Sequence, residues 1–193
     1  MDSAARTLAR ASVVVAGWGF CYTLYRAYYA FGGTALLPGR PANPSDFRMI
    51  NMVATIILLV AAVLPIAMLP LWSRPRVRPV LHAVCWVIAV GCVMHAVIDA
   101  AQRVLSLAGL LDIRYPESAW ASIDTRTADL QDLFFNEPWF LLEGLGFAAL
   151  AWIALGPGRP RRAWIGSALA ATGALTVVGL LSATGVIGRL IIG

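Results

Sequence analysis

Long apolar stretches separated by short polar ones dominate this chain. Five of these stretches are long enough for an α-helix to cross a bilayer, which takes about 20 mainly apolar residues. They predict membrane-spanning helices over residues 11–31, 49–72, 79–111, 133–155 and 162–192, within one domain that comprises residues 1–193. The pattern therefore predicts an all-α fold, a polytopic transmembrane bundle of five helices.

The first apolar stretch has a second interpretation. Arg6 and Arg10 precede it, as basic residues precede the apolar core of a cleaved signal peptide. However, the stretch is bulky and aromatic, and it lacks a clear cleavage site of small residues. We therefore interpret it as a retained helix.

The distribution of arginine predicts the orientation of these helices. Eight arginines fall in the N-terminal tail and in the second and fourth connections: Arg6, Arg10, Arg74, Arg76, Arg78, Arg159, Arg161 and Arg162. Five fall on the opposite side: Arg40, Arg48, Arg114, Arg126 and Arg189. Because short cytoplasmic loops carry the excess of basic residues, we expect a cytoplasmic N-terminus and an exported C-terminus in a bacterial plasma membrane.

Two connections on the outer side are longer than the others. Residues 32–48 contain glycines and prolines, and they predict a turn-rich cap or a partial re-entrant loop. Residues 112–132 mix acidic with apolar side chains, a pattern compatible with a short interfacial helix.

Composition supports the membrane assignment and excludes another class of function. Hydrophobic residues make up 60% of the chain and charged residues only 13%, whereas soluble domains carry about 25% charged residues. The net charge of +5 comes from arginines that lie mainly in short loops. Nucleic-acid binding would need those charges clustered on one face, so we do not expect a nucleic-acid partner.

Ionisable side chains inside the predicted spans are the candidates for chemistry. Such residues are costly in a membrane, usually face the protein interior and mark functional sites. The candidates are Arg26, His95, Asp99, Arg103 and Glu143, together with the polar Asn51. In the predicted orientation the outer half of the bilayer contains Arg26, Asn51, Asp99, Arg103, Glu137 and Glu143, so we expect one polar layer there.

Helical spacing adds aromatic neighbours to this layer. His95, Asp99 and Arg103 follow one another at every fourth position and therefore share a helix face. Aromatic residues accompany Arg26 and Glu143 on their own helices: Trp18, Tyr22, Tyr25, Tyr29, Trp139 and Phe140. We expect Arg26, Arg103, Asn51 and these aromatic side chains to line a substrate pocket.

Each candidate also has a structural interpretation. Asp99 and Arg103 can form a structural ion pair, and Arg103 can instead reach the outer interface. His95 can be a hydrogen-bonded core residue, and the tyrosines can belong to an interfacial aromatic belt. Glu137 precedes Pro138 and is typical of a helix start. Glu143 has no opposite charge three or four residues away and is the hardest to explain structurally.

The motifs of several enzyme classes are missing from the sequence. It contains no HxxxH or HExxH ligand spacing, no glycine-rich phosphate loop and no nucleophile elbow. The Asp-rich motif that binds magnesium and a prenyl diphosphate is also missing. We therefore predict neither a metal nor a cofactor.

The chemistry that these missing motifs leave open is acid catalysis in an apolar, aromatic pocket. A carboxylic acid in a low-dielectric site can stay protonated near neutrality and could then protonate an alkene or an epoxide. Aromatic faces stabilise the resulting cation. We expect Glu143 or Asp99 to be the acid, with the other acid or His95 receiving the final proton. The expected partners are a lipophilic small-molecule substrate and membrane lipid.

Two segments resemble a family of uncharacterised small actinobacterial membrane proteins. They are WGF at 18–20 followed by AFGGTALLPG at 30–39, and NEPWFLLEGLGFAALAW at 136–152. The resemblance implies a helical membrane fold, a membrane histidine at His95 and no established activity. In that family the position of Glu143 is usually small, often Gly, so an acid there suggests a member recruited for chemistry.

The chain is also similar in size, helix count and buried acids to small membrane-bound bacterial and fungal terpene cyclases. That likeness is architectural and transfers no catalytic residue. It favours a protonation-initiated cyclase acting on a prenylated substrate. The alternatives are a non-catalytic lipid-binding or scaffold subunit and a proton-coupled transporter. The sequence leaves the oligomeric state open.

Overall fold

The chain is mainly helical in a computed structural model that describes residues 3–113, 115–155, 157–184 and 187. Its long helices, in the described part of the chain, are α1 (Ser3–Ala30), α2 (Pro44–Met68), α3 (Arg78–Leu107), α5 (Glu137–Ala154) and α6 (Arg159–Ala183). A short helix, α4 (Thr125–Gln131), and two short strands, β1 (Gly39–Pro41) and β2 (Trp120–Ile123), complete the described elements. The predicted all-α fold with five long helices is confirmed.

Several helices begin or end away from the limits of the predicted spans, because the apolar pattern marks a membrane segment and not a helix end. Helix α1 begins at Ser3, since the polar N-terminal residues continue the helix. Helix α2 begins at Pro44, where the Asn43 side chain accepts a hydrogen bond from the Ser45 amide. Helix α3 ends at Leu107, just before Gly109 adopts a φ of 71°. The predicted end of the last helix, at residue 192, lies outside the described residues.

Three helical segments are long and apolar enough to cross a membrane: Pro44–Leu71, Arg78–Leu107 and Arg159–Ala183. The first consists of α2 and the 3₁₀ turn Leu69–Leu71 that follows it. Helices α1 and α5 were also predicted as spans and do not meet this criterion. Their compositions differ, because α1 carries Arg26 among several tyrosines and the shorter α5 carries Glu137 and Glu143.

The described residues divide into two compact units. Unit 1 comprises residues 1–78 and 113–128, and unit 2 comprises residues 79–112 and 129–193. In unit 1, α1 packs along α2 and buries Tyr22, Tyr29 and Ala62. The apolar side chains of α2 that remain exposed, such as Ile50 and Ile57, are typical of a lipid-facing surface.

The two long connections meet in unit 1 as an antiparallel strand pair that the sequence analysis did not predict. Gly39 pairs with Ile123 and Arg40 with Ser122, and the register shifts before Pro41. A Cβ atom at position 39 would overlap the Ser122 carbonyl oxygen, so this pairing requires glycine. The strands are too short to show the alternating pattern from which strands are recognised. The short helix expected in residues 112–132 is present as α4.

Unit 2 is built from α3, α5 and α6. Its core consists of small and large apolar side chains: Cys85, Ala89, Val90, Ala96, Phe147, Leu150 and Ala151. Two indole N–H groups connect α3 with α6, since Trp86 donates to Ser167 Oγ and Trp164 donates to the His82 carbonyl oxygen, both at 3.1 Å. Gly144 of α5 lies against Val93 and the Ala89 carbonyl of α3, which allows close approach of the two helices.

Candidate functional site

Three candidate metal-ligating or proton-binding side chains meet in unit 2. His95 Nε2 lies 3.4 Å from Asp99 Oδ2 and 3.9 Å from Glu137 Oε2. One ligand atom from each of the three residues lies within 4.8 Å of the other two. His95 and Asp99 are one helical turn apart on α3, and Glu137 comes from the first turn of α5. We call this group the His95–Asp99–Glu137 cluster.

The start of α5 positions Glu137 in this cluster. Helix α4 runs through a π-helical turn, Asp132–Asn136, directly into α5, and Pro138 occupies the first turn of α5. Asn136 Nδ2 donates to Asp132 Oδ1 at 2.6 Å across this turn. Single π turns inside helices are frequent at functional sites, since they re-aim the side chains that follow. From the sequence, Glu137 was placed in the polar layer and explained by the helix dipole, but its contact with His95 was not predicted.

The surroundings of the cluster differ from one member to the next. The side chain of Glu137 is 6% exposed, that of Asp99 28% and that of His95 44%. Gln102 Nε2 donates to the second Asp99 oxygen, Oδ1, at 3.3 Å. The Phe140 ring lies edge-on to the imidazole with the centroids 4.5 Å apart. The cluster thus combines a buried acid, a hydrogen-bonded acid and an accessible imidazole.

Arg103 binds two carboxylates that the sequence analysis had not linked to it. Its guanidinium lies 3.3 Å from Asp129 Oδ1 and 2.9 Å from Asp132 Oδ2. Ser106 donates a short hydrogen bond to the other oxygen of Asp129, which is buried. This network anchors the end of the 112–132 connection to α3, and the Asp99–Arg103 pairing considered from the sequence is not among the ion pairs of the described residues.

Glu143 is the second buried acid of α5. Both of its carboxylate oxygens are buried and have no hydrogen-bond partner among the described residues. The neighbouring Gly144 brings α5 close to α3 at this level. Because burial without partners disfavours a charged carboxylate, the arrangement favours a neutral carboxylic acid.

Arg26 is held in unit 1 by neutral groups. Its guanidinium donates to Asn51 Oδ1 at 3.4 Å and to the Tyr22 hydroxyl at 3.3 Å. It also lies over the rings of Tyr22 and Tyr25, 5.5 and 6.0 Å from their centroids. Asn51 is buried and donates in turn to the Phe47 carbonyl oxygen. The predicted association of Arg26, Tyr22 and Asn51 is therefore present within unit 1.

The predicted aromatic residues lie in both units. Tyr29 is buried in unit 1, donates to the Ala35 carbonyl at 3.1 Å and lies edge-on to Tyr25. Trp18 is partly buried on α1. In unit 2, Trp139 lies edge-on to Phe135 with the centroids 6.1 Å apart, and Phe140 contacts His95. That these side chains line one substrate pocket stays a prediction.

A comparison with protein families identifies the chain's relatives. The family described as "Protein of unknown function (DUF3995)" matches residues 19–147, about two thirds of the chain. The chain belongs to this family. No curated protein and no solved structure matches it.

The match to DUF3995 begins within α1 and ends within α5. It includes the His95–Asp99–Glu137 cluster, the Arg103 network and Glu143, and it excludes Trp18 and α6. The predicted membership of an uncharacterised family is thus confirmed. Glu137, Asp129 and Asp132 were missed as partners because they reach α3 through tertiary contacts. Gln102 was missed although it lies on α3, three residues after Asp99. The H-x-x-x-D spacing of His95 and Asp99 was the sequence pattern from which part of the cluster could have been recognised.

Proposed function

We propose that this DUF3995 protein is an integral enzyme of the bacterial plasma membrane, acting on a lipophilic substrate. Three helical segments are long and apolar enough to cross a membrane. Large apolar side chains are exposed along α2, α3 and α6, for example Ile57, Val87 and Leu169. The arginine distribution supports a cytoplasmic N-terminus and an exported C-terminus. A substrate dissolved in the bilayer would reach such helices directly.

One observation carries the proposed chemistry: both oxygens of Glu143 are buried without hydrogen-bond partners in the described part of the chain. A neutral carboxylic acid in an apolar site is a proton donor that water does not compete with. We assign Glu143 as the general acid of a terpene-type cyclase. Its proton forms a new C–H bond at an alkene, or opens an epoxide to an alcohol, and leaves a carbocation on the substrate.

The subsequent steps conserve the atoms of the substrate. The carbocation is attacked by another alkene of the same chain, which forms a C–C bond and closes a ring. A neighbouring C–H bond then releases a proton to the protein, so the carboxylic acid is restored. Aromatic faces stabilise the migrating cation, and Trp139 and Phe140 lie on the same helix as Glu143. The product therefore has the mass of the substrate and contains one or more additional rings.

The experiment is a turnover assay on the full-length protein in detergent, monitored by liquid chromatography and mass spectrometry. The substrates are farnesylated and geranylgeranylated aromatic compounds, with and without a terminal epoxide. We expect a product of unchanged mass and altered retention. Glu143→Gln keeps the shape of the side chain and removes the acid, so turnover should fall by about 100-fold or more. Glu117→Gln, at an exposed acid of unit 1, is the matched control.

A non-catalytic, lipid-binding role is the second candidate. It is favoured by the Arg26, Tyr22 and Asn51 contacts, which link polar groups to one another as a structural network does. This role predicts that no substrate of the panel is converted and that Glu143→Gln leaves folding and lipid binding unchanged. Conversion that survives Glu143→Gln at full rate would remove Glu143 from the mechanism.

A further inference from the structure

The His95–Asp99–Glu137 cluster is suited to a ligand that neither the family nor the proposed acid chemistry assigns to it. We propose that these three residues bind a divalent transition-metal ion. An imidazole nitrogen and two carboxylate oxygens are ligands that Zn²⁺, Mn²⁺ and Fe²⁺ accept in proteins. This inference is independent of the cyclase proposal, because metal binding can be measured without a substrate.

The distances within the cluster fit a shared ion. Ligand atoms that each lie about 2.0–2.2 Å from one ion are separated by roughly 3.3–3.6 Å in tetrahedral geometry. His95 Nε2 and Asp99 Oδ2 are 3.4 Å apart, and His95 Nε2 and Glu137 Oε2 are 3.9 Å apart. Small changes in side-chain torsion would shorten the distance between His95 Nε2 and Glu137 Oε2 to that expected for a shared ion. The imidazole is accessible enough for an ion to enter.

The placement of the ligands on the helices is also that of a metal site. Two ligands four residues apart on one helix project to the same side, as in helical zinc motifs. The third comes from a neighbouring helix, which is how helical proteins build metal sites between facing side chains. Here α3 provides His95 and Asp99, and α5 provides Glu137, within one compact unit. Three protein ligands leave at least one coordination position for water or substrate.

Charge supports the same assignment. With a neutral imidazole, the cluster holds two formal negative charges, which a divalent cation would neutralise. Arg103 is the next cation along α3, and its charge is already outweighed by Asp129 and Asp132. Carboxylates at membrane depth are costly unless they are paired with a cation or protonated. A metal ion would provide that pairing for Asp99 and Glu137 together.

A hydrogen bond orients one of the ligands. Gln102 donates to Asp99 Oδ1, the oxygen that does not face His95. Metal-binding carboxylates are commonly held in this way by a neighbouring donor, and removing the donor typically lowers metal affinity about 10–100-fold. Gln102 lies on the same helix, three residues after Asp99. It therefore provides a variant that tests the site without touching a ligand.

The test measures metal in the full-length protein, purified in detergent with an affinity tag that contains no histidine. Inductively coupled plasma mass spectrometry should find about one transition-metal ion per chain. Titration of metal-depleted protein with Co²⁺ should produce the visible absorption of a ligand-bound ion. Both signals should be lost in His95→Ala, Asp99→Asn and Glu137→Gln. Gln102→Leu should weaken Co²⁺ binding by about 10–100-fold.

Two controls separate this site from adventitious binding and from misfolding. His82→Gln changes the other histidine of the chain, which also lies on α3, and should leave metal content unchanged. Circular dichroism and elution as a single species establish that each variant is folded. Asp99→Glu keeps a carboxylate and should retain metal even if His95→Ala fails to fold.

The proposal is overturned if the folded wild-type protein neither contains a metal ion nor binds Co²⁺. It is also overturned if the ligand variants bind as much Co²⁺ as the wild type does, since the ion would then be adventitious. If the ligand variants lost the metal but kept full cyclase turnover, the metal site would be supported, and it would play no part in the proposed cyclase reaction. If the cyclase assay showed no turnover, the proposed function would fail and the evidence for the metal site would be unaffected.

Discussion

Two arginines in long helices are compensated in different ways. Arg26 of α1 bonds to an amide oxygen and a hydroxyl at 3.4 and 3.3 Å and lies over two tyrosine rings. Arg103 of α3 binds two carboxylates at 3.3 and 2.9 Å. In the first case the positive charge is distributed over neutral dipoles, and in the second it is opposed by full negative charges. The same residue type therefore has different energetic consequences in the two units.

The difference extends to the polar groups around these arginines. Those that surround Arg26 in unit 1 are hydroxyls and an amide: Tyr22, Tyr25, Tyr29 and Asn51. Those around Arg103 and His95 in unit 2 are mainly acids: Asp99, Asp129, Asp132 and Glu137, with Glu143 farther along α5. An excess of acids needs protons or cations, so unit 2 is where we expect proton and metal chemistry.

Replacing each arginine by methionine tests this comparison, and these variants should show the largest change in stability. Arg103→Met leaves Asp129, whose side chain is 3% exposed, as a buried charge without its ion pair. We expect the free energy of unfolding to fall by about 3–5 kcal/mol. Arg26→Met removes hydrogen bonds to neutral partners only, and a loss of about 1–2 kcal/mol is expected. Chemical unfolding in mixed micelles, monitored by tryptophan fluorescence, measures both values.

Arg126→Met provides the control, because Arg126 is exposed on α4 and should change stability by less than about 0.5 kcal/mol. Equal losses for Arg26→Met and Arg103→Met would contradict the comparison. In that case the two carboxylates would contribute no more to stability than the neutral partners of Arg26 do.

Much of the fold could be predicted from the sequence, since apolar stretches of membrane length dominate it. The helix ends could not, because Asn43 and Gly109 act through capping and backbone conformation, which hydropathy does not register. The strand pair was also missed. Its pairing of Gly39 with Ile123 joins two loops that are far apart in sequence, and neither loop alone signals a strand.

The site was predictable only where its members share a helix. The spacing of His95 and Asp99 places both on one face of α3, and this face was recognised. Glu137 was assigned to a helix start, which it is, but the π-helical turn before it also directs it toward His95. Such a turn has no periodicity of its own in the sequence. The partners of Arg103 were missed for the related reason that Asp129 and Asp132 approach it through tertiary structure.

The close approach of α3 and α5 at Gly144 is the next feature to test, since the His95–Asp99–Glu137 cluster needs these two helices to lie together. A Cβ atom at this position would lie 2.8 Å from Val93 Cγ2 and 3.1 Å from the Ala89 carbonyl oxygen. Gly144→Ala should therefore destabilise the protein by about 1–3 kcal/mol. It should also weaken Co²⁺ binding at the His95–Asp99–Glu137 cluster, because α5 would move away from α3.

Gly91→Ala is the matched control for this overpacking. Gly91 also lies in α3, and a Cβ atom there meets nothing within 4 Å. Alanine is favoured over glycine in a helix by about 1 kcal/mol, so this variant should be neutral or slightly more stable. If Gly144→Ala behaved like Gly91→Ala, the two helices would not be as closely packed as the structure describes.

The smallest expected effect concerns an acid of unit 1 that is fully exposed. Asp124 precedes α4, and its carboxylate accepts hydrogen bonds from the Thr127 hydroxyl at 2.8 Å and from the Thr127 amide at 3.2 Å. These two hydrogen bonds hold the pKa of Asp124 below its ordinary value, and the bond from the hydroxyl has the larger effect. The capping contribution is therefore fully present above the ordinary pKa and is lost as the pH falls through the lowered one.

Amide hydrogen exchange of Thr127 and Ala128, corrected for the intrinsic rate at each pH, measures this contribution. Protection in the wild type should stay constant from neutral pH to about 4 and then fall at lower pH, as the Asp124 carboxylate takes up a proton. Asp124→Asn keeps a capping oxygen without a titrating group, so its protection should not follow that fall. If it did, acid would be loosening α4 through a group other than Asp124.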